Sequence, residues 1–239
     1  MKVSFGIIGN NWGDKIYKIL KSTNNDVIKL PVKNPNKYQN YQSYIVALKK
    51  ILKKSKKNCN IIWLAVSPNK EIQFDIVKLC IENNFNLVIE KPWLVNKKNT
   101  TYLKQLQIKH KILVGFHFEY LYLDFFKQIH KDLFYDKNTV SLNFHVKNIR
   151  LKNIHFNELG SHLLAIKKHF FKNNKKFKIT TGYKKNLRRI TINENKINEK
   201  ILDFTNNTEP LIQRFITDYL KHLKKKQKYF LDFNLALMK

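Results

Sequence analysis

Residues 61–96 read Ile61-Ile-Trp-Leu-Ala-Val-Ser-Pro-Asn-Lys-Glu-Ile-Gln-Phe-Asp-Ile-Val-Lys-Leu-Cys-Ile-Glu-Asn-Asn-Phe-Asn-Leu-Val-Ile-Glu-Lys-Pro-Trp-Leu-Val-Asn96. Ile61–Val66 is an unbroken apolar run, the pattern of a strand buried on both faces of a parallel sheet. Ser67-Pro68 ends it, because proline fixes its own φ and drives the preceding residue out of the helical region. Asn69 suits the N-cap of a following helix, in which Ile72, Ile76, Leu79 and Cys80 recur at helical spacing. Leu87–Ile89 is a second buried strand. Its carboxyl end delivers Glu90, Lys91 and Pro92, and ligands of open α/β sheets bind at that end.

The chain opens with a similar unit: strand Val3–Ile8, the turn Gly9-Asn10-Asn11-Trp12-Gly13, and a helix carrying Ile16, Ile19 and Leu20. The patterns predict strands at 3–8, 26–32, 61–66, 86–90 and 111–116, and helices at 13–22, 42–56, 70–84 and 97–108. Pro31–Gln42, rich in Pro, Asn, Lys and Tyr, reads as a loop. Strand–helix alternation predicts a parallel sheet over residues 1–116.

After Gly115 the pattern changes. Glu119–Phe134 reads as an aromatic-rich helix. Val140, Leu142, Phe144 and Val146 alternate on one face, as in an antiparallel strand with one wet side. Asn157–Phe171 reads as a helix, 177–183, 187–193 and 198–204 as short strands of a meander, and Leu211–Leu223 as a final amphipathic helix. The expected fold is α/β: an N-terminal Rossmann-like parallel sheet (1–116) and a smaller C-terminal α+β domain (117–239) with a mainly antiparallel sheet.

At Ala65-Val66-Ser67-Pro68 and Glu90-Lys91-Pro92 the chain resembles the glucose-fructose oxidoreductase / inositol dehydrogenase / MocA (Gfo/Idh/MocA) family. That family has an Ala-x-x-Pro turn after its fourth strand and Glu-Lys-Pro after its fifth. Its second-domain motif, Asp-x-Gly-x-His, is matched by Glu158-Leu159-Gly160-Ser161-His162 with Glu for Asp. The resemblance covers most of residues 1–170, to a member reduced in length. It implies an NAD(P)-dependent oxidoreductase acting on the hydroxyl or carbonyl of a sugar, nucleotide sugar or cyclitol. Lys91 would hydrogen-bond and polarise the reacting oxygen, and His162 would be the general acid/base. Glu158, one helical turn before His162, would orient the imidazole or contact substrate. Gly9, Asn11, Trp12, Gly13, Lys33, Ser67, Pro68, Glu90 and Lys91 would bind the dinucleotide. In the family the second-domain sheet builds the substrate pocket and the oligomer interface, so a homo-oligomer would form there.

The residues themselves qualify this picture. A Rossmann first turn needs glycines for the tight bend, for approach of the pyrophosphate and for close helix packing. Here Gly9 and Gly13 are four apart rather than five, and Asn11 stands where the middle glycine would be; Asn tolerates left-handed backbone better than most residues. The position about 20 residues on, where an acid would bind the ribose 2′-hydroxyl of NAD, is Lys33. That favours NADP over NAD; otherwise Lys33 is one lysine among many. His162 has a core or capping role as its alternative, and His117 and His155 read as structural or surface residues, although His117 follows a strand end. The family's Arg after the sixth strand is replaced by His117-Phe118-Glu119-Tyr120, and the His often found downstream of the Pro turn is absent from Asn69–Gln73.

Two further readings stay open. One is a catalytically degenerate sugar-binding or scaffold protein in surface-glycan synthesis. The other is nucleic-acid binding, on the charge of +29 alone. Against the latter, only four of the 46 basic residues are Arg, the residue that reads phosphate bidentately, and the Lys are spread over the whole chain. Cys59 and Cys80 form no disulfide framework, and no metal-ligand spacing or serine-nucleophile signature is present. Met1-Lys2 runs straight into the first strand, and no apolar run is long enough to span a bilayer. A cytoplasmic protein is expected, with no membrane partner.

Overall fold

The computed structural model describes residues 3–33, 35–66, 69–128, 139–145, 155–171, 176–182, 186–194, 198–206, 208–226 and 231–236; at 155–159, 194, 198–200 and 234–235 only the backbone is described. The chain forms two compact units, Met1–His117 with Ile216–Leu237, and Phe118–Phe215.

The first unit runs β1 (Ser4–Ile8), α1 (Trp12–Ser22), β2 (Asp26–Lys29), α2 (Tyr41–Ser55), β3 (Ile61–Leu64), α3 (Lys70–Glu82), β4 (Asn86–Ile89), α4 (Lys97–His110) and β5 (Val114–Phe116). The strands form one sheet in the order β2-β1-β3-β4-β5, every pairing parallel. All four residues of β3 are buried, as their unbroken apolar run requires. Three strands, β2, β3 and β5, are shorter by two or three residues than the apolar pattern suggests. β2 stops because Pro31, just beyond the Leu30 N–H bond to Ile7 O, has no N–H to continue the ladder. β5 starts late because Lys111, at φ 55°, turns the chain at the end of α4, and Ile112 N–H still bonds back to Gln107 O.

The second unit contains a 3-10 turn (Glu119–Tyr122), α5 (Phe125–Gln128), β6 (Thr139–His145), α6 (His155–Phe170), β7 (Phe177–Gly182), β8 (Leu187–Glu194) and β9 (Asn198–Asp203). The sheet order is β7-β6-β8-β9. β8 and β9 pair antiparallel, as do β6 and β8, while β6 and β7 are parallel. The sheet is therefore mixed, and 177–204 is not a simple meander: β6 lies between β7 and β8. Val140, Leu142 and Phe144 share a fully buried face with Ile190 and Ile192, over Leu163 and Ile166 of α6. Val146 lies outside the described residues.

The expected helix 119–134 does not form as one element over its described part, 119–128. Leu123 is extended (φ −60°, ψ 134°) between the 3-10 turn and α5. The cause is Arg214, which donates to Tyr122 O at 2.9 Å and pairs with Asp124 at 2.7 Å and with Glu209. Glu209 also accepts from the Asp124 N–H. These partners satisfy backbone and side-chain groups that a continuous helix would have used differently.

α7 (Leu211–Lys225) and α8 (Phe233–Ala236) follow. From Ile216 onward they pack in the first unit. There the Tyr219 hydroxyl donates to Leu113 O, Leu231 O accepts from Phe116 N–H, and the Phe233 ring sits 5.5 Å from both Trp93 and Phe116. No helix among the described residues is long and apolar enough to cross a membrane.

Candidate functional site

The chain leaves β1 for β2 on one side and returns to β3 on the other, so the carboxyl ends of β1 and β3 flank a topological switch point. Crevices of open α/β sheets lie at such points. A pocket of about 370 Å³ is found there, with Gly9 and Asn11 from the first turn, Lys33 beyond β2, and Ala65, Val66 and Asn69 around the end of β3.

The turn is built for close approach. Gly9 has φ +131°, and a Cβ there would lie 2.2 Å from Ala65 O. Asn11 occupies φ 50° at the N-cap of α1 without a side-chain capping bond; the Gly13 N–H donates to Asn10 O at 3.0 Å within the turn, and the helix start presents its positive dipole end. Gly13 lets α1 lie on β1: a Cβ would stand 3.2 Å from Ile7 Cγ2. The bend and the close helix packing are thus shared between two glycines and an asparagine. Trp12 is not among the residues that line the pocket, and its buried indole N–H has no hydrogen-bond partner among the described residues. Asn69 also serves α3, its Oδ1 accepting from Glu71 N–H and Ile72 N–H at 3.0 Å each. Ser67 and Pro68 lie outside the described residues.

Glu90 leaves the end of β4 and turns inward. It is 6 % exposed. Its Oε1 accepts from the Trp63 indole N–H at 2.9 Å and meets His117 Nδ1 at 2.8 Å. His117 is fully buried, its ring edge-on to Trp63 at 5.3 Å. Burial alone would raise the Glu90 pKa; His117, Lys91 and Trp12 outweigh it and hold the carboxyl below its ordinary range. Lys91, next in the chain, is half-buried. The segment after it is clamped by buried Gln73 of α3, which donates to Pro92 O at 2.8 Å and accepts from Leu94 N–H at 3.0 Å.

In the second unit His162 lies on α6 at 3 % exposure. Its Nε2 faces Glu119 Oε1 at 3.6 Å, and the Tyr120 ring packs on it at 4.6 Å. Tyr120 accepts from Arg188 Nε at 3.3 Å. Glu158 belongs to α6, but its side chain lies outside the described set. Sequence reasoning missed His117 as the partner of Glu90, and Glu119 as a carboxylate facing His162. The one available signal for the first was position: both Glu90 and His117 are the first residues beyond adjacent buried strands. No cluster of His, Cys, Asp or Glu among the described residues could hold a metal ion.

No protein-family model matches the chain, and no curated protein matches it. Solved structures do. UDP-N-acetylglucosamine 3-dehydrogenase GnnA from Acidithiobacillus ferrooxidans is similar at a TM-score of 0.77 and 11% identity, over 99% of this chain and 93% of that one. The WlbA dehydrogenase from Thermus thermophilus, solved with NAD and UDP-GlcNAcA, gives 0.69 and 10%, over 98% and 91%. A 3-ketoreductase from Actinomadura kijaniata, solved with NADP and TDP-benzene, gives 0.65 and 7%, over 99% and 94%. These neighbours are dehydrogenases and reductases of Gfo/Idh/MocA type. At such identities the likeness is one of fold.

Proposed function

We propose that this chain is an NAD(P)-dependent oxidoreductase acting on the hydroxyl or carbonyl of a sugar, nucleotide sugar or cyclitol. The observation that carries this reading is the pocket at the β1/β3 switch point, with Gly9, Asn11 and Lys33 in its wall beneath an uncapped helix start. The structural neighbours solved with NAD and UDP-GlcNAcA, and with NADP and TDP-benzene, support a nicotinamide cofactor and a nucleotide-linked ligand.

In this reading Gly9, Asn11, Trp12 and Gly13 form the pyrophosphate turn, and Lys33 meets a 2′-phosphate, so NADP is preferred. The bound nicotinamide would accept or return a hydride. Lys91 would donate a hydrogen bond to the reacting oxygen and stabilise charge on it. His162 would take up or return the hydroxyl proton, since imidazole titrates near neutral pH. Glu158 is retained as an orienting or substrate-contacting carboxylate. Glu119 faces the same imidazole at 3.6 Å and would help to orient it.

The test is a titration with NADPH and NADH followed by nicotinamide fluorescence. Lys33→Ala should weaken NADPH about tenfold, the scale of one lost charge contact, and leave NADH unchanged. Nucleotide sugars are then screened, and Lys91→Ala and His162→Ala should each cut turnover by about 10²–10⁴. Folded protein that binds neither nucleotide would remove this reading and leave the non-catalytic sugar-binding protein.

A further inference from the structure

We propose that Glu90 and His117 are a positioning pair for Lys91, a buried carboxylate–imidazole contact that fixes the end of β4, and that Glu90 is not a dinucleotide ligand. This rests on the reading above, in which Lys91 serves the reacting oxygen.

The geometry leaves Glu90 committed inward. Two donors converge on its Oε1, one from β3 and one from the end of β5. An ionised carboxylate only accepts, so His117 must carry a proton on Nδ1. The groups that contact the carboxylate are His117 and Trp63, and Lys91, the next residue, and Trp12 at the start of α1 also act to lower its pKa. Ile89 pairs with Phe116 in the sheet, so residues 90 and 117 leave neighbouring strands at the same level. The His117 N–H also donates to Ile89 O at 2.9 Å. Backbone and side chain together lock the step immediately before Lys91.

A charge removed from water is costly unless paired, and losing one partner costs more than the pair contributes. The pair fixes the backbone step that delivers Lys91, and Lys91 in turn contributes to holding the Glu90 carboxyl below its ordinary range.

The discriminating variant is Glu90→Gln, which keeps the shape and an acceptor for Trp63 but removes the charge. Near-ultraviolet circular dichroism establishes that the full-length variant is folded. Ring ¹⁵N NMR, with His117 assigned by its loss in His117→Gln, should show a proton on Nδ1 in the wild type. Acetic anhydride labelling, read by mass spectrometry, should show Lys91 reactivity relative to Lys98 rising about threefold or more in Glu90→Gln, as the backbone step that delivers it loosens. The Lys70-to-Lys98 ratio should stay constant, which a general loosening of structure would not allow. NADPH affinity should stay within about twofold of wild type, against the tenfold that a lost ligand would cost. An unchanged Lys91 ratio, or NADPH binding weakened beyond about tenfold, overturns the proposal. Wild-type protein that fails to bind NADPH sinks the oxidoreductase reading instead, and the His117 and Lys91 readouts still decide the pair.

Discussion

A methyl group at Gly9 would enter the van der Waals shell of Ala65 O in a backbone conformation that L-residues rarely adopt. Gly9→Ala should therefore cost about 1–3 kcal/mol in urea unfolding, the range of one strained residue, and abolish NADPH binding by displacing the turn. Glu90 supplies a second residue-scale prediction. Its folded-state pKa lies below the ordinary 4.5, so the folded form binds fewer protons than the unfolded one at acid pH. The stability it adds is complete above pH 4.5 and is lost as pH falls through the depressed value. Urea midpoints measured from neutral pH down to about pH 3 should thus fall more steeply for wild type than for Glu90→Gln. The position of Glu90 and Lys91 was legible in the sequence, because a buried strand followed by a turn places them at a carboxyl end. The inward turn of Glu90 was not. It depends on a histidine 27 residues later, and no local pattern carries that distance.

Asparagine does much of the work at the ends of the elements. Asn40, Asn69 and Asn96 cap α2, α3 and α4 with their side chains. Asn24 and Asn84 take left-handed backbone after α1 and α3, where glycine is the usual choice. At Asn84 the closing bonds run from Asn84 N–H to Ile81 O and from Phe85 N–H to Cys80 O. Asn69→Ala should cost about 0.5–2 kcal/mol in urea unfolding, the range for a lost N-cap, and Asn24→Gly should be neutral. The helices and strands of the first unit could be read because burial on both faces of β3 and β4 writes an unbroken apolar run. Strand order in the second unit could not. Alternation in β6 reports which face is buried, but not that β7 and β8 take opposite edges of it. The break at Leu123 was equally hidden, since Arg214 acts from 92 residues away.

At the scale of the whole molecule the charge dominates. A net +29 with few carboxylates to offset it makes the folded chain repel itself. Salt screens that repulsion, with a Debye length shrinking from about 30 Å at 0.01 M to about 8 Å at 0.15 M. The melting temperature should therefore rise over that interval, as differential scanning calorimetry would record, and a flat response would show that local ion pairs already compensate. Composition announced the charge, but not how the two units divide the chain. The final amphipathic helix was visible at 211–223, yet its apolar stripe does not say which sheet it covers.

That division bears on how the protein is made. The first unit is discontinuous: the strand pairings of β1 to β5 can all form once residue 116 has emerged, but Leu231 O, Phe233 and Tyr219, which close the outer end of β5, are synthesised only after the second unit. On the ribosome the Phe118–Phe215 unit has its whole sequence available while the earlier sheet still waits with Trp93 and Phe116 uncovered. The part begun first is finished second, and a nascent chain stalled before residue 216 would carry an apolar edge for chaperones to hold.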